Sequence, residues 1–140
     1  MIVKFKILSE SAKIPKKSRE GDAGLDLHSD EELVLSPGKR KSIGTGIACE
    51  IPKNFVGLFW DRGGWSFKHG LHTLAGVIDS NYRGELKVIA VNLGAEEIKI
   101  LKGDRIAQLL VQPVSIVEPL VVKELSETNR GAERFGSSGM

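Results

Sequence analysis

An acid and the chain's only tyrosine, Asp79 and Tyr82, lie between two apolar runs in LAGVIDSNYRGEL, residues 74–86. Leu74, Ala75, Val77 and Ile78 lead in; Leu86, Val88, Ile89, Ala90 and Val91 lead out. Ser80 and Asn81 are turn residues, and Gly84 relieves the backbone as the chain re-enters a strand. A carboxylate at such a tip can position or deprotonate a water, and an aromatic ring beside it can pack against a sugar or a base. The same residues also suit a solvated turn. A second concentration of chemistry lies at the C-terminus. There SETNRGAERFGSSGM sets Arg130, Arg134 and Phe135 among three glycines and four Ser/Thr. Glycine-rich backbone can turn N–H groups on a phosphate, arginine can clamp one bidentately, and a phenylalanine can cover a base. A plain solvated tail has the same composition.

These groups need a scaffold, and the chain supplies one that is β almost throughout. Ile2–Leu8 alternates in period two, with Val3, Phe5 and Ile7 opposite Lys4 and Lys6. Leu25–His28 and Glu32–Leu35 are short strands, followed by the turn Ser36-Pro37-Gly38. Lys39–Ile51 is a longer strand in which Gly44 and Gly46 predict a bulge or a close backbone approach. Phe55–Trp60 is another strand. Thr73–Ile78 and Glu85–Asn92 are predicted to pair as one hairpin carrying Asp79 and Tyr82 at its tip. Glu96–Leu101 and Arg105–Val114 flank the turn Lys102-Gly103-Asp104. One short helix is predicted near Gly64–His69. Many short strands with Gly/Pro turns predict an all-β fold, a distorted barrel or jelly-roll-like sandwich. The expected division is a β domain over 1–125 and a flexible C-terminal arm over 126–140.

Composition narrows the classes. Lys+Arg number 20 and Asp+Glu 18, a net charge of +2, too small for the global field of a nucleic-acid binder. No apolar run is long enough for a membrane-spanning helix. The first ten residues, MIVKFKILSE, read as a strand and not as a signal peptide. The lone Cys49 has no internal disulfide partner, sits in a strand-like run and is expected to be a buried small residue. A cytoplasmic protein is the expectation. His69 and His72 share no metal-ligand spacing with an acid or a cysteine and read as structural. Lys16, Lys17 and Arg19 suit a solvated loop.

Five segments in order resemble one family, the trimeric dUTP diphosphatases (dUTPases). They are AGLDL at 23–27, DRGGWS at 61–66, AGVIDSNYRG at 75–84, GDRIAQL at 103–109 and RGAERFGSSG at 130–139. The resemblance implies hydrolysis of dUTP to dUMP and pyrophosphate, lowering dUTP and supplying dUMP for thymidylate synthesis. It implies a homotrimer whose sites collect segments from more than one subunit. Residue by residue, Asp79 matches the acid that orders the water attacking the α-phosphorus. Tyr82 matches the ring under the deoxyribose, which leaves no room for a 2′-hydroxyl. The backbone at Gly76, Leu86 and Lys87 matches the uracil reader. Arg62, Gly63, Gly64, Gln108 and Arg130 match phosphate contacts or braces. Phe135, with Gly136 and Ser137, matches the segment closing over the nucleotide. Asp26 matches the acid that holds Mg²⁺ through water, which is chemically apt because Mg²⁺ keeps several waters and takes phosphate oxygens.

Residue by residue, other readings stay open. Asp26 also suits a turn cap, Gln108 a buried amide bonded to backbone, and Arg83 a surface charge or a contact between subunits. Asp104 reads as a turn residue. One position departs from the family: where its second segment carries a serine, this chain has Gly63, so a hydroxyl aimed at phosphate is missing. A lost donor of that kind costs on the order of 100-fold in rate. Ser66, one helical turn on, is the nearest substitute. Asn81 replaces the more usual acid of the third segment. Two alternatives follow. The same-fold dCTP deaminases activate water with a glutamate in the strand after the hairpin, and the matching position here is Ile89, which moves no proton. A nucleotide-binding regulator with weakened catalysis is the other, and Gly63 is the feature that favours it.

Overall fold

The computed structural model describes residues 1–132. The strands are β1 (Lys4–Ile7), β2 (Leu25–His28), β3 (Leu33–Leu35), β4 (Arg40–Glu50), β5 (Phe55–Asp61), β6 (Leu71–Leu74), β7 (Val77–Ile78), β8 (Glu85–Asn92), β9 (Ile98–Ile100) and β10 (Arg105–Pro113), with one helix, α1 (Gly63–His69). They form two four-stranded sheets, ordered β1-β4-β8-β6 and β2-β10-β5-β7, and the pair β3-β9. Every ladder is antiparallel. The family-like all-β sandwich with a single short helix is therefore the observed architecture.

Period-two patterning builds the core. In β8, Leu86, Val88, Ala90 and Asn92 point inward, while Lys87 and Ile89 point out. Leu27, Leu35, Ile43, Ile47, Ile100, Ile106 and Leu109 meet them between the sheets, each essentially without solvent contact. Full burial of such a side chain contributes about 1.5–3 kcal/mol relative to exposure. Buried Asn92 is satisfied by donating to the carbonyls of Leu35 (2.8 Å) and Glu96 (2.7 Å) and accepting from the N–H of Gly94 (2.8 Å). Cys49 is buried, as its setting predicts.

The bulge predicted from the two glycines is present. The β4–β8 register shifts between Gly44 and Ala48. Gly46 has φ of 64°, and a Cβ there would sit 2.6 Å from Ser9 Oγ and 2.8 Å from Ala12 Cβ. The bulge turns Thr45 inward, where its hydroxyl donates to the carbonyl of Leu86 at 2.6 Å.

One expectation is corrected. Thr73–Ile78 is not one strand, and it does not pair as a unit with Glu85–Asn92. Leu71–Leu74 pairs with β8, but Val77–Ile78 pairs with β5 in the other sheet. Ala75 (φ 58°) and Gly76 (φ 104°) swing the chain from one sheet to the other. Gly76 then docks on β5: its carbonyl accepts from Phe59 N–H at 2.9 Å, and a Cβ would lie 2.9 Å from Phe59 Cβ. Only glycine takes this conformation at this contact without strain. The loop bearing Asp79 and Tyr82 thus bridges the two sheets instead of capping one hairpin.

After β10 the chain makes no further strand or helix up to residue 132. This stretch leaves Val117, Leu120, Val121 and Leu125 largely exposed, Val121 at 97%.

Candidate functional site

Strand register brings three of the expected segments together. Gln108 on β10 lies opposite Asp26 on β2 and opposite Trp60 on β5. Arg62 follows directly after β5. Gly24, Asp26, Trp60, Asp61, Arg62 and Gln108 line a cavity of about 480 Å³. Gly24 is the floor under Gln108, since a Cβ there would fall 2.3 Å from its Oε1.

Asp26 is a buried carboxylate, 4% exposed, and is no turn cap. It accepts from Ser18 Oγ at 2.7 Å, from the Arg62 guanidinium, and at 3.4 Å from Arg105. Removing one partner from a buried ion pair costs about 3–5 kcal/mol, because a charge is left uncompensated. Gln108 Nε2 donates to the main-chain carbonyl of Asp61 at 2.8 Å, which leaves its Oε1 over Gly24. On the other side of Arg62, a cavity of about 330 Å³ adds Lys68, His69 and Arg105. Its lining sets Arg62, Lys68 and Arg105 against Asp104. His28, two residues along β2 from Asp26, is pushed below the usual imidazole range by burial first and then by Lys13.

Asp61 joins this cluster without having been marked out by residue type. Its carboxylate accepts from the N–H and the hydroxyl of Thr73, both at 2.7 Å, and lies 2.7 Å from His72 Nδ1. Burial pushes this carboxyl up, yet the hydrogen bonds from His72 and Thr73 outweigh it and hold it below the ordinary carboxylate range. The signal was present in principle: an acid at a strand end, followed some ten residues on by His-Thr at the start of the next strand. Only the fold shows that the two meet.

At Gly63 and Gly64, the start of α1, an added Cβ would meet nothing within 4 Å. Ser66 does not substitute for the missing hydroxyl, because it donates to the carbonyl of Leu71 at 2.8 Å. Asp104 is the turn residue expected, accepting from Leu101 N–H at 2.8 Å. His69 stacks obliquely on Trp65, with centroids 5.2 Å apart.

The second group stands elsewhere. Asp79 is exposed, and its carbonyl accepts from Tyr82 N–H at 3.0 Å, closing the turn. Tyr82 folds over Gly84 and donates to the carbonyl of Glu85 at 3.1 Å; a Cβ at residue 84 would fall 2.3 Å from its Oη. Arg83 donates to the carbonyls of Ser80 and Tyr82, at 2.7 and 2.8 Å, and stiffens the loop. Asp79 lines a cavity of about 600 Å³ with Asn54, Phe55, Asn81, Val114 and Ile116. That cavity shares no lining residue with the one around Asp26 and Gln108. Leu86 is a core side chain whose carbonyl is taken by Thr45, and Gly76 gives its carbonyl to Phe59. Lys87 is exposed beside Glu85, at 3.4 Å. Arg130 is exposed in a turn closed by Gly131 N–H to the carbonyl of Thr128 at 3.1 Å. Phe135, Gly136 and Ser137 lie outside the described residues, as does Arg134.

No group of three or more His, Cys, Asp or Glu side chains converges as a metal cage among the described residues. The cavity around Gln108 carries the carboxylates Asp22, Asp26 and Asp61, of which Asp26 is already held by two arginines and Asp61 by His72 and Thr73. That fits a hydrated Mg²⁺ delivered on phosphate oxygens and not an ion held by the protein alone. No helix among the described residues is long and apolar enough to cross a membrane.

The family model described as dUTPase matches residues 10–139. The deoxyuridine 5'-triphosphate nucleotidohydrolase of Nautilia profundicola is 46% identical over 141 residues, covering 99% of each chain. That of Corynebacterium glutamicum is 44% identical over 140 residues, covering 98% of this chain and 94% of its own. Among solved structures, the Staphylococcus bacteriophage 80alpha dUTPase with dUpNHpp superposes with a TM-score of 0.94 at 32% identity, over 99% of both chains. A mutant dUTPase from phage phi11 of S. aureus, described with a structural Mg(II) ion, gives 0.84 at 29% identity, over 91% of this chain and 100% of its own. With a family model matched over residues 10–139 and relatives of this identity over nearly their whole length, the chain belongs to the dUTPase family.

Proposed function

We infer that this chain is a dUTP diphosphatase, hydrolysing dUTP to dUMP and pyrophosphate at a site assembled between subunits. The observation that carries the reading is the two-part distribution of polar groups. One part of a single chain offers Arg62, Gln108 and the Gly63-Gly64 backbone to phosphates. Another offers Asp79 and Tyr82, on a loop lining a different cavity. Neither part does the chemistry alone. In a homotrimer one subunit's Asp79 loop faces its neighbour's Arg62–Gln108 cluster, and the exposed apolar stretch after β10 gives such an assembly something to bury.

In this reading Asp79 orders the attacking water and takes its proton. Tyr82, braced over Gly84, packs beneath the deoxyribose. The backbone around Gly76, Leu86 and Lys87 reads the uracil edge. A backbone reader rejects cytosine because exchanging an acceptor for a donor leaves buried groups unpaired. Arg62, Gln108 and Arg130 hold the phosphates, and Phe135 with Gly136 and Ser137 closes the site. When bound, Mg²⁺ neutralises phosphate charge as the leaving group departs. Asp26 would hold it through water. Residues 1–125 act as the β domain and 126–140 as its closing arm. The buried free thiol of Cys49 accords with a cytoplasmic setting.

The test is pyrophosphate release from dUTP, dCTP, dTTP and UTP with Mg²⁺ present. Release from dUTP above all others is expected. No release from dUTP by folded protein would refute the activity. Release of ammonia from dCTP would favour the deaminase alternative, which Ile89, an outward-facing side chain of β8, argues against.

Gly63 keeps the regulator reading distinct. Its surroundings have room for a side chain. Gly63→Ser is therefore expected to fold normally and raise kcat, by up to about 100-fold if the absent hydroxyl limits the rate. Unchanged kcat would mean that a water already serves that phosphate. Tight dUpNHpp binding with no turnover in either protein would favour a binding module.

A further inference from the structure

Asp61 closes a part of the fold that no strand pairing closes. Residues 62–71 leave β5, carry Arg62 and α1, and return as β6. Yet β5 pairs with β10 and β7, while β6 pairs with β8 in the other sheet. At the base of this excursion the Asp61 carboxylate spans the gap to Thr73 and His72, with three contacts of 2.7 Å. The main-chain carbonyl of the same residue receives the Gln108 amide at 2.8 Å.

We propose that Asp61 is a positioning residue for triphosphate binding, fixing Arg62 through its side chain and Gln108 through its carbonyl. The inference rests on reading Arg62 and Gln108 as phosphate contacts. The chemistry calls for a carboxylate. Thr73 supplies two donors, its N–H and its hydroxyl, to one oxygen, and His72 Nδ1–H a third to the other. An asparagine has one acceptor oxygen and would turn an NH₂ towards one of these donors. A carboxylate only accepts, so the contact has His72 donating from Nδ1. Asp61 sits immediately before Arg62, so a shift of its backbone moves Arg62 and the Gln108 anchor together. A misplacement of about 1 Å at a positioned group costs on the order of 100-fold in rate.

The experiment compares Asp61→Ala, Asp61→Asn and Thr73→Val with the parent as full-length proteins. Binding of dUpNHpp is measured by calorimetry and binding of deoxyuridine by chemical-shift titration. The Gln108 side-chain amide resonances report the anchor directly. Asp61→Ala is expected to weaken dUpNHpp by about tenfold or more, to leave deoxyuridine affinity at the parent value, and to shift the Gln108 resonances. Asp61→Asn should fall between Ala and the parent. If Asp61→Ala does not fold, Thr73→Val carries the same comparison with a smaller loss in the same direction. Parent-like dUpNHpp affinity in all three would overturn the proposal. Equal losses for both ligands would also overturn it, by reducing Asp61 to a general stabiliser. A parent protein that binds no dUpNHpp would instead refute the phosphate reading of Arg62 and Gln108. The Gln108 shift in the Asp61 variants would then show a clamp without the proposed role.

Discussion

Asp79→Asn is expected to lower kcat for dUTP by about 100-fold or more, the range contributed by a positioned general base, while dUpNHpp binding stays near the parent's. Asparagine keeps the shape of the side chain and loses only the basic oxygen. The turn that carries it is built from backbone: Tyr82 N–H to the Asp79 carbonyl, and Arg83 to the carbonyls of Ser80 and Tyr82. None of these bonds uses the Asp79 carboxylate, and the residue is exposed, so the substitution leaves the loop standing. The loss should therefore appear in kcat and not in ligand affinity, the pattern of an interaction made only in the transition state. Single-turnover hydrolysis alongside calorimetric titration separates the two. Hydrolysis at the parent rate would remove Asp79 from the catalytic role.

Deleting the chain after Thr128 is expected to leave the proposed trimer intact and abolish most turnover. The apolar stretch with Val117, Leu120, Val121 and Leu125 lies before the cut and remains available for assembly. What is lost is Arg130 together with Phe135, Gly136 and Ser137. Arg130 is the proposed charged contact to the triphosphate among them, so the deletion should weaken dUpNHpp and scarcely affect deoxyuridine. Sedimentation and a dUTP assay on the truncated protein decide the matter. Dissociation to monomers, or full activity, would contradict the role given to the arm.

Local patterning carried much of the fold. Alternation in Glu85–Asn92 marked which side chains face the core, and Gly44 with Gly46 marked the bulge. The helix near Gly64–His69 and the turn at Asp104 were likewise legible from residue type. What failed was the strand Thr73–Ile78. Apolar residues continue through Ala75-Gly76, and nothing local announces that the backbone there takes two positive φ values and changes sheet. The reason is a long-range contact with Phe59 that period-two reasoning does not contain. The site divides along the same line. Asp26, Arg62, Gln108, Asp79 and Tyr82 were identifiable by type and by resemblance. The convergence of Asp26 and Gln108 follows from the β2–β10 register, which sequence spacing does not reveal. Asp61 had no assigned role because its partners, His72 and Thr73, lie beyond a helix and become neighbours only when that excursion closes. The two arginines on Asp26 were missed for the same reason: Arg105 reaches it from the start of β10, far along the chain.

In the proposed reaction, water activated by this chain attacks the α-phosphorus of dUTP. Hydrolysis in water labelled with heavy oxygen, followed by mass analysis of both products, tests it directly. One labelled oxygen in dUMP and none in pyrophosphate are expected, at one pyrophosphate per dUTP consumed. Label in the pyrophosphate, or release of inorganic phosphate in its place, would contradict it.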